Sequence, residues 1–144
     1  MKRTLMIVIS LATLLLSSIS CTAHAQIAVV VGAKSPVTGI NKEQTAALFL
    51  GKSSQLPGAG APFLVDQSEA SDLRKNFYNK VTDKTPAQVK AIWARLVFSG
   101  KSSPPKEAPS SADVKKLLAS NPDALGYIEK SAVDSSVKVL LEIE

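Results

Sequence analysis

The sequence predicts an α/β domain, a single layered unit with a largely parallel sheet flanked by helices. Three observations carry this expectation. Residues 27–31 (IAVVV) form an unbroken apolar, β-branched run, the pattern of a strand covered on both faces. Residues 63–65 (FLV) are a second such run, and a helical pattern follows within a few residues. Strand-like and helix-like stretches then alternate to the end of the chain, as they do in layered α/β domains.

The first 25 residues are expected to lie outside that domain. Lys2 and Arg3 open the chain, residues 5–16 are apolar, and Ala23-His24-Ala25 is a small-residue cleavage signal. This is the pattern of a secretory signal peptide cut after Ala25, and the apolar run is too short to span a bilayer comfortably. A lipoprotein anchor at Cys21 is disfavoured, because Ser18 stands where an apolar residue is usually wanted. Residues 26–144 then suffice for one compact periplasmic domain. Loss of Lys2 and Arg3 lowers the formal charge from +5 to +3. The remaining basic residues are scattered, with no aromatic-rich basic cluster to suggest nucleic acid.

Subtraction narrows the chemistry. The single cysteine and single histidine both fall within residues 1–25. The exported chain therefore has no disulfide, no thiol nucleophile, no imidazole base and no His/Cys metal site. Histidine is the usual general base at neutral pH. A catalyst would need a carboxylate pair such as Asp66 with Asp72, and nothing in the sequence implies a substrate there. No enzyme, metal or cofactor is expected.

Taken in order, Gly32 ends the first strand and residues 33–36 (AKSP) make a polar turn. Asn41 caps a helix with Gln44 in capping-box position, Ala47, Leu48 and Leu50 supply its buried side, and Gly51 stops it. Residues 52–61 are a loop rich in Ser, Gly and Pro. Residues 62–81 are the centre of the chain: the short strand, a polar elbow from Asp66 to Ser71, and a helix burying Leu73, Phe77 and Val81. Thr85-Pro86-Ala87-Gln88 is a strong helix start, and Val89, Ile92, Trp93, Leu96 and Val97 form the expected core stripe. On that stripe Trp93 reads as core rather than as a ligand contact. Gly100 closes the helix, and residues 101–110 read as a loop stiffened by three prolines. A further helix carries Val114, Leu117 and Leu118, Asn121-Pro122 breaks it, and two strands close the pattern at residues 126–128 and 137–143.

Gly51-Lys52-Ser53 is not a phosphate-binding P-loop: Ala46 stands where that motif needs glycine, and a helix precedes it where a strand is required. The elbow is the stronger candidate. A strand turning into a helix aims free N–H groups at the turn, where a small anion is held well. Ser68 is placed to cap the helix, and Ser71 presents a hydroxyl beside the first free amides. Glu69 and Asp72 put acids in the same place, so a plain self-complemented cap is the competing account. Lys34 and Ser35, in the turn after the first strand, are a second candidate anion contact.

Several of these segments together resemble a known family. Ala47-Leu48-Phe49-Leu50-Gly51-Lys52, Leu64-Val65-Asp66, the serine-bearing turn leading to Phe77, and residues 121–128 (NPDALGYI) recur in that order. The chain is similar to phosphate-type periplasmic substrate-binding proteins of ABC transporters, with the type 2 periplasmic-binding fold. The resemblance implies a small one-lobe member at about half the usual length, in a family whose two lobes clamp phosphate. It implies a non-enzymatic solute-binding domain for phosphate or another small oxyanion, with an ABC permease as partner. Ser71 and Phe77 keep the residue types of the family's elbow, whereas Gln67 stands at its arginine and Asp72 at its second glycine. The alternative is a domain that kept the fold without the ligand and docks on an envelope protein or on itself.

Overall fold

A computed structural model describes residues 26–144, so the signal-peptide reading, with Cys21 and His24, lies outside the described residues. The elements are β1 (Ile27–Gly32), α1 (Lys42–Phe49), β2 (Phe63–Gln67), α2 (Asp72–Thr82), α3 (Pro86–Phe98), β3 (Lys106–Ala108), α4 (Ser111–Ser120), β4 (Ala124–Glu129) and β5 (Val137–Ile143), with a 3-10 turn at Lys130–Ala132. They build one five-stranded sheet in the order β3-β2-β4-β1-β5.

Every residue of β1 is buried because both faces of the sheet are covered. Ile27, Val29 and Val31 face one core with side chains of α1, α2 and α3, including Phe49, Phe77, Val81 and Trp93. Ala28 and Val30 face the other, against Val114 and Leu118 of α4. The unbroken apolar run is thus explained, and the α/β lobe is the fold that forms. Its sheet is mixed. β2 pairs in parallel with β3 and β4, whereas β1 runs antiparallel to β4 and β5. Burial on both faces dictates the run of apolar residues but not the direction of the neighbouring strands, so hydropathy cannot distinguish the two cases.

The caps follow the sequence closely. Asn41 and Thr85 each form the full capping box, with Gln44 and Gln88, and Gly51 takes φ +68 where α1 ends. Two expectations need correction. Residues 101–110 contain β3, a three-residue edge strand, because the flanking prolines hold the backbone extended and an edge tolerates them. Val97 leaves the core stripe: it is 48% exposed, while Val89 and Trp93 are buried. Among the described residues no helix is long and apolar enough to cross a membrane.

Candidate functional site

The parallel strands β2 and β3 end beside one another, and the chain turns from β2 into α2 there. Carboxyl ends of parallel strands are the common ligand position in α/β sheets. Here they open into a cleft of about 550 Å³ with a polar floor (Asp66, Gln67, Arg74), a charged rim (Glu69, Lys90, Glu107) and an apolar wall from α3 and Pro104-Pro105. A larger hollow of about 770 Å³ lies at the amino end of β2, lined by Lys52, Lys101 and loop serines. Its lysines are exposed and it has no buried polar floor, so the elbow cleft is the better site.

Asp66 and Gln67, expected in the elbow, are the last residues of β2, and the elbow proper starts at Ser68. Asp66 is only 6% exposed. Its carboxylate accepts from the Gln67 N–H at 2.8 Å, from Arg74 Nε at 3.1 Å, from the Tyr78 hydroxyl at 2.7 Å, and from the Tyr127 hydroxyl. Burial, and then the Asp66 charge, push both tyrosine pKa values well above the ordinary 10, so both stay O–H donors. Burial works against the Arg74 charge, but Asp66 outweighs it by charge and hydrogen bond and holds the guanidinium more firmly protonated. The Arg74 guanidinium also lies 5.2 Å from the centre of the Tyr78 ring. Phe77 stacks on Tyr127 at 3.7 Å, locking α2 against β4 beneath this cluster.

Gln67, at the position of the family's arginine, is buried and turned inward: its Nε2 donates to the Tyr127 carbonyl at 3.1 Å and to Ser111 Oγ at 3.2 Å. The guanidinium in the cleft is that of Arg74. Arg74 sits one turn into α2, its side chain 11% exposed, and only its Nε bonds to the described residues. No buried side-chain nitrogen among them lacks a partner, and the Arg74 side chain lines the cleft. On the rim, Glu69 pairs with Lys90 at 3.0 Å, which holds its carboxyl below the usual range by hydrogen bond and charge. The Glu69 N–H is taken by Glu107 Oε1 at 3.3 Å.

The four residues read as anion contacts fall into two groups. Ser68 and Ser71 stand at the elbow, both half-buried. The capping role belongs to Ser71, not Ser68: Ser71 Oγ accepts from the Arg74 N–H at 3.3 Å, while the Ser68 carbonyl accepts from the Ser71 N–H at 3.0 Å. That extra turn moves the helix start three residues along. Lys34 and Ser35 follow the carboxyl end of β1. β1 runs antiparallel to β4, so its carboxyl end and the elbow are at opposite ends of the sheet. At about 3.4 Å per residue, the length of β1 separates the two groups by roughly 17 Å. Ser35 is buried in its own turn, its Oγ accepting from the Val37 N–H at 3.4 Å and its carbonyl from Lys138 Nζ at 2.6 Å. Lys34 is exposed.

Asp72 is exposed and takes no part in the Asp66 cluster. The Asp66 oxygens are occupied by donors and the tyrosines are held protonated, so the floor offers donors rather than a free base. Sequence reading missed Arg74 and Tyr78. Their signal was the spacing: residues 74 and 78 stand four apart and so share a helix face, one turn beyond the cap. Trp93 is core, its indole N–H donating to the Phe49 carbonyl at 2.9 Å, and its edge also lines the cleft.

No family model matches the chain, and no curated protein matches it. Solved structures do. A Clostridium perfringens protein assigned as a phosphate ABC transporter substrate-binding protein, solved with phosphate bound, superposes with TM-score 0.65 at 24% identity, over 81% of this chain and 45% of that one. An ABC-type phosphate transport receptor from Vibrio cholerae gives 0.63 at 23% identity, over 81% and 46%. PstS from Borrelia burgdorferi gives 0.58 at 16% identity, over 81% and 47%. The chain spans about half the length of these proteins. Its fold is that of one lobe of a phosphate ABC transporter substrate-binding protein.

Proposed function

We propose that this chain is a non-enzymatic binding module, exported to the periplasm by residues 1–25, that holds a small oxyanion, phosphate first among them, in the elbow cleft. The observation that carries this reading is Arg74: its charge is paired with Asp66 through Nε, and its side chain lines the cleft. A guanidinium held in this way presents a planar pair of donors to a phosphate or carboxylate at little entropic cost. Ser68, Ser71 and the free N–H groups at the start of α2 stand beside the cleft at the elbow rather than in its lining, within the same turn as Glu69 and Arg74. Lys34 and Ser35, at the far end of the sheet, take no part in it. The likeness to phosphate-binding lobes supports the reading, and an ABC permease would be the recipient of the solute.

The test is a thermal-shift panel of phosphate, sulfate and other oxyanions on the exported protein. At a concentration one hundred times the dissociation constant, a ligand adds about 2.7 kcal/mol. Absence of any shift at millimolar concentrations, with the protein folded, overturns the reading.

One observation favours a second reading, a ligand-free module that docks on an envelope protein or on a second copy. Two amides at the cleft, that of Gln67 at the end of β2 and that of Glu69 in the elbow, are already taken by the acids Asp66 and Glu107. A defined partner or dimer in solution, together with a flat oxyanion panel, would select it.

A further inference from the structure

We propose that the ligand of the elbow cleft is an organic oxyanion, a phosphate or carboxylate head carrying an apolar body, rather than free inorganic phosphate. This rests on the oxyanion reading above and narrows it.

The charges in the cleft come first. Asp66 and Arg74 form one pair and Glu69 and Lys90 another, at 3.1 and 3.0 Å. Glu107 is left over, with no cation within salt-bridge distance among the described residues, so the cleft carries one excess negative charge. Arg74 then fixes where an anionic head sits, but Coulomb attraction gives little net affinity for a small, strongly hydrated ion. The remaining affinity must come from elsewhere.

The wall facing Arg74 supplies it. Trp93, Ala94, Val97, Phe98, Pro104 and Pro105 line that side. Phe98 is 95% exposed and Val97 48%. They lie in the last turn of α3, and Gly100, at φ +70, ends the helix before following chain covers them. The prolines of that wall are already rigid, so packing a ligand against them orders little. Size agrees: a cleft of about 550 Å³ is within the roughly 300–1,000 Å³ range of sites that enclose a whole organic molecule. A lone tetrahedral ion at Arg74 would leave the apolar wall wet.

Inorganic phosphate, phenyl phosphate and phenol are titrated into the exported protein, by calorimetry and by fluorescence of Trp93, its only tryptophan. Phenyl phosphate is expected to bind at least about tenfold tighter than inorganic phosphate, the size of effect that partial burial of one ring provides. In Phe98→Ala that ratio falls to within about twofold, and the melting temperature stays within a degree or so because the side chain packs on nothing. Equal affinity for phosphate and phenyl phosphate, or a ratio unmoved by Phe98→Ala, overturns the inference and leaves the oxyanion reading standing. Phenol binding as well as phenyl phosphate, or none of the three binding, overturns both.

Discussion

At the scale of single residues, Asp66 governs the cleft. A carboxylate this buried must be paired, and it has four donors, contributed by its own strand, by α2 and by β4. Two of them are the only tyrosines in the protein, Tyr78 and Tyr127. Their folded pKa values are raised, first by burial and then by Asp66, whereas unfolded tyrosine ionises near 10. Above pH 10 the unfolded chain therefore binds fewer protons than the folded one, and stability falls as pH rises. The slope is up to about 1.4 kcal/mol per pH unit for each tyrosine, and below that pH the full contribution is present. Spectrophotometric titration should show no tyrosinate while the far-ultraviolet circular dichroism remains native, and then both tyrosines ionising in one step with unfolding. A tyrosine that ionises in its ordinary range with the fold intact would refute the buried network.

At the scale of elements, caps decide where the cleft opens. The boxes at Asn41 and Thr85 were readable from sequence because a cap and its partner are three residues apart, and the backbone alone brings them together. At the elbow the sequence pointed to Ser68 as the cap, and only the packing of Leu73 and Phe77 under β2 sets which turn of chain becomes helix. Ser71→Ala should cost about 1 kcal/mol in urea unfolding, the usual value of a lost cap. Ser68→Ala should stay within about 0.5 kcal/mol, as for a substitution outside any cap. The reverse order would return the helix start to Ser68. On α3 the sequence stripe extended one residue too far: Val97 lies in the last turn, where it is left half exposed.

At the scale of the whole molecule, two layers approach closely at Gly32. A Cβ there would meet the Leu118 carbonyl oxygen at 2.4 Å, so glycine is what lets α4 lie against the end of β1. Gly32→Ala must push two backbones apart, and a loss of about 1–3 kcal/mol is expected in denaturant unfolding, the usual range for overpacking. An unchanged midpoint would mean that α4 sits further out. The same layering sends β1 antiparallel between β4 and β5, which carries the Lys34-Ser35 turn away from the elbow.

The sequence alone determined the α/β class, the helix starts at Asn41 and Thr85, the two-sided burial of β1 and the likeness to phosphate-binding lobes. All of these rest on residues close together in the chain, or on the order of segments along it. The tertiary structure decided the strand directions, the separation of Ser35 from Ser71, and the assembly of Arg74, Tyr78 and Tyr127 around Asp66. Those depend on contacts between residues far apart in the chain, 61 positions for Tyr127 on Asp66 and over a hundred for the pairing of β1 with β5, and no local pattern records which distant side chain will meet a buried charge.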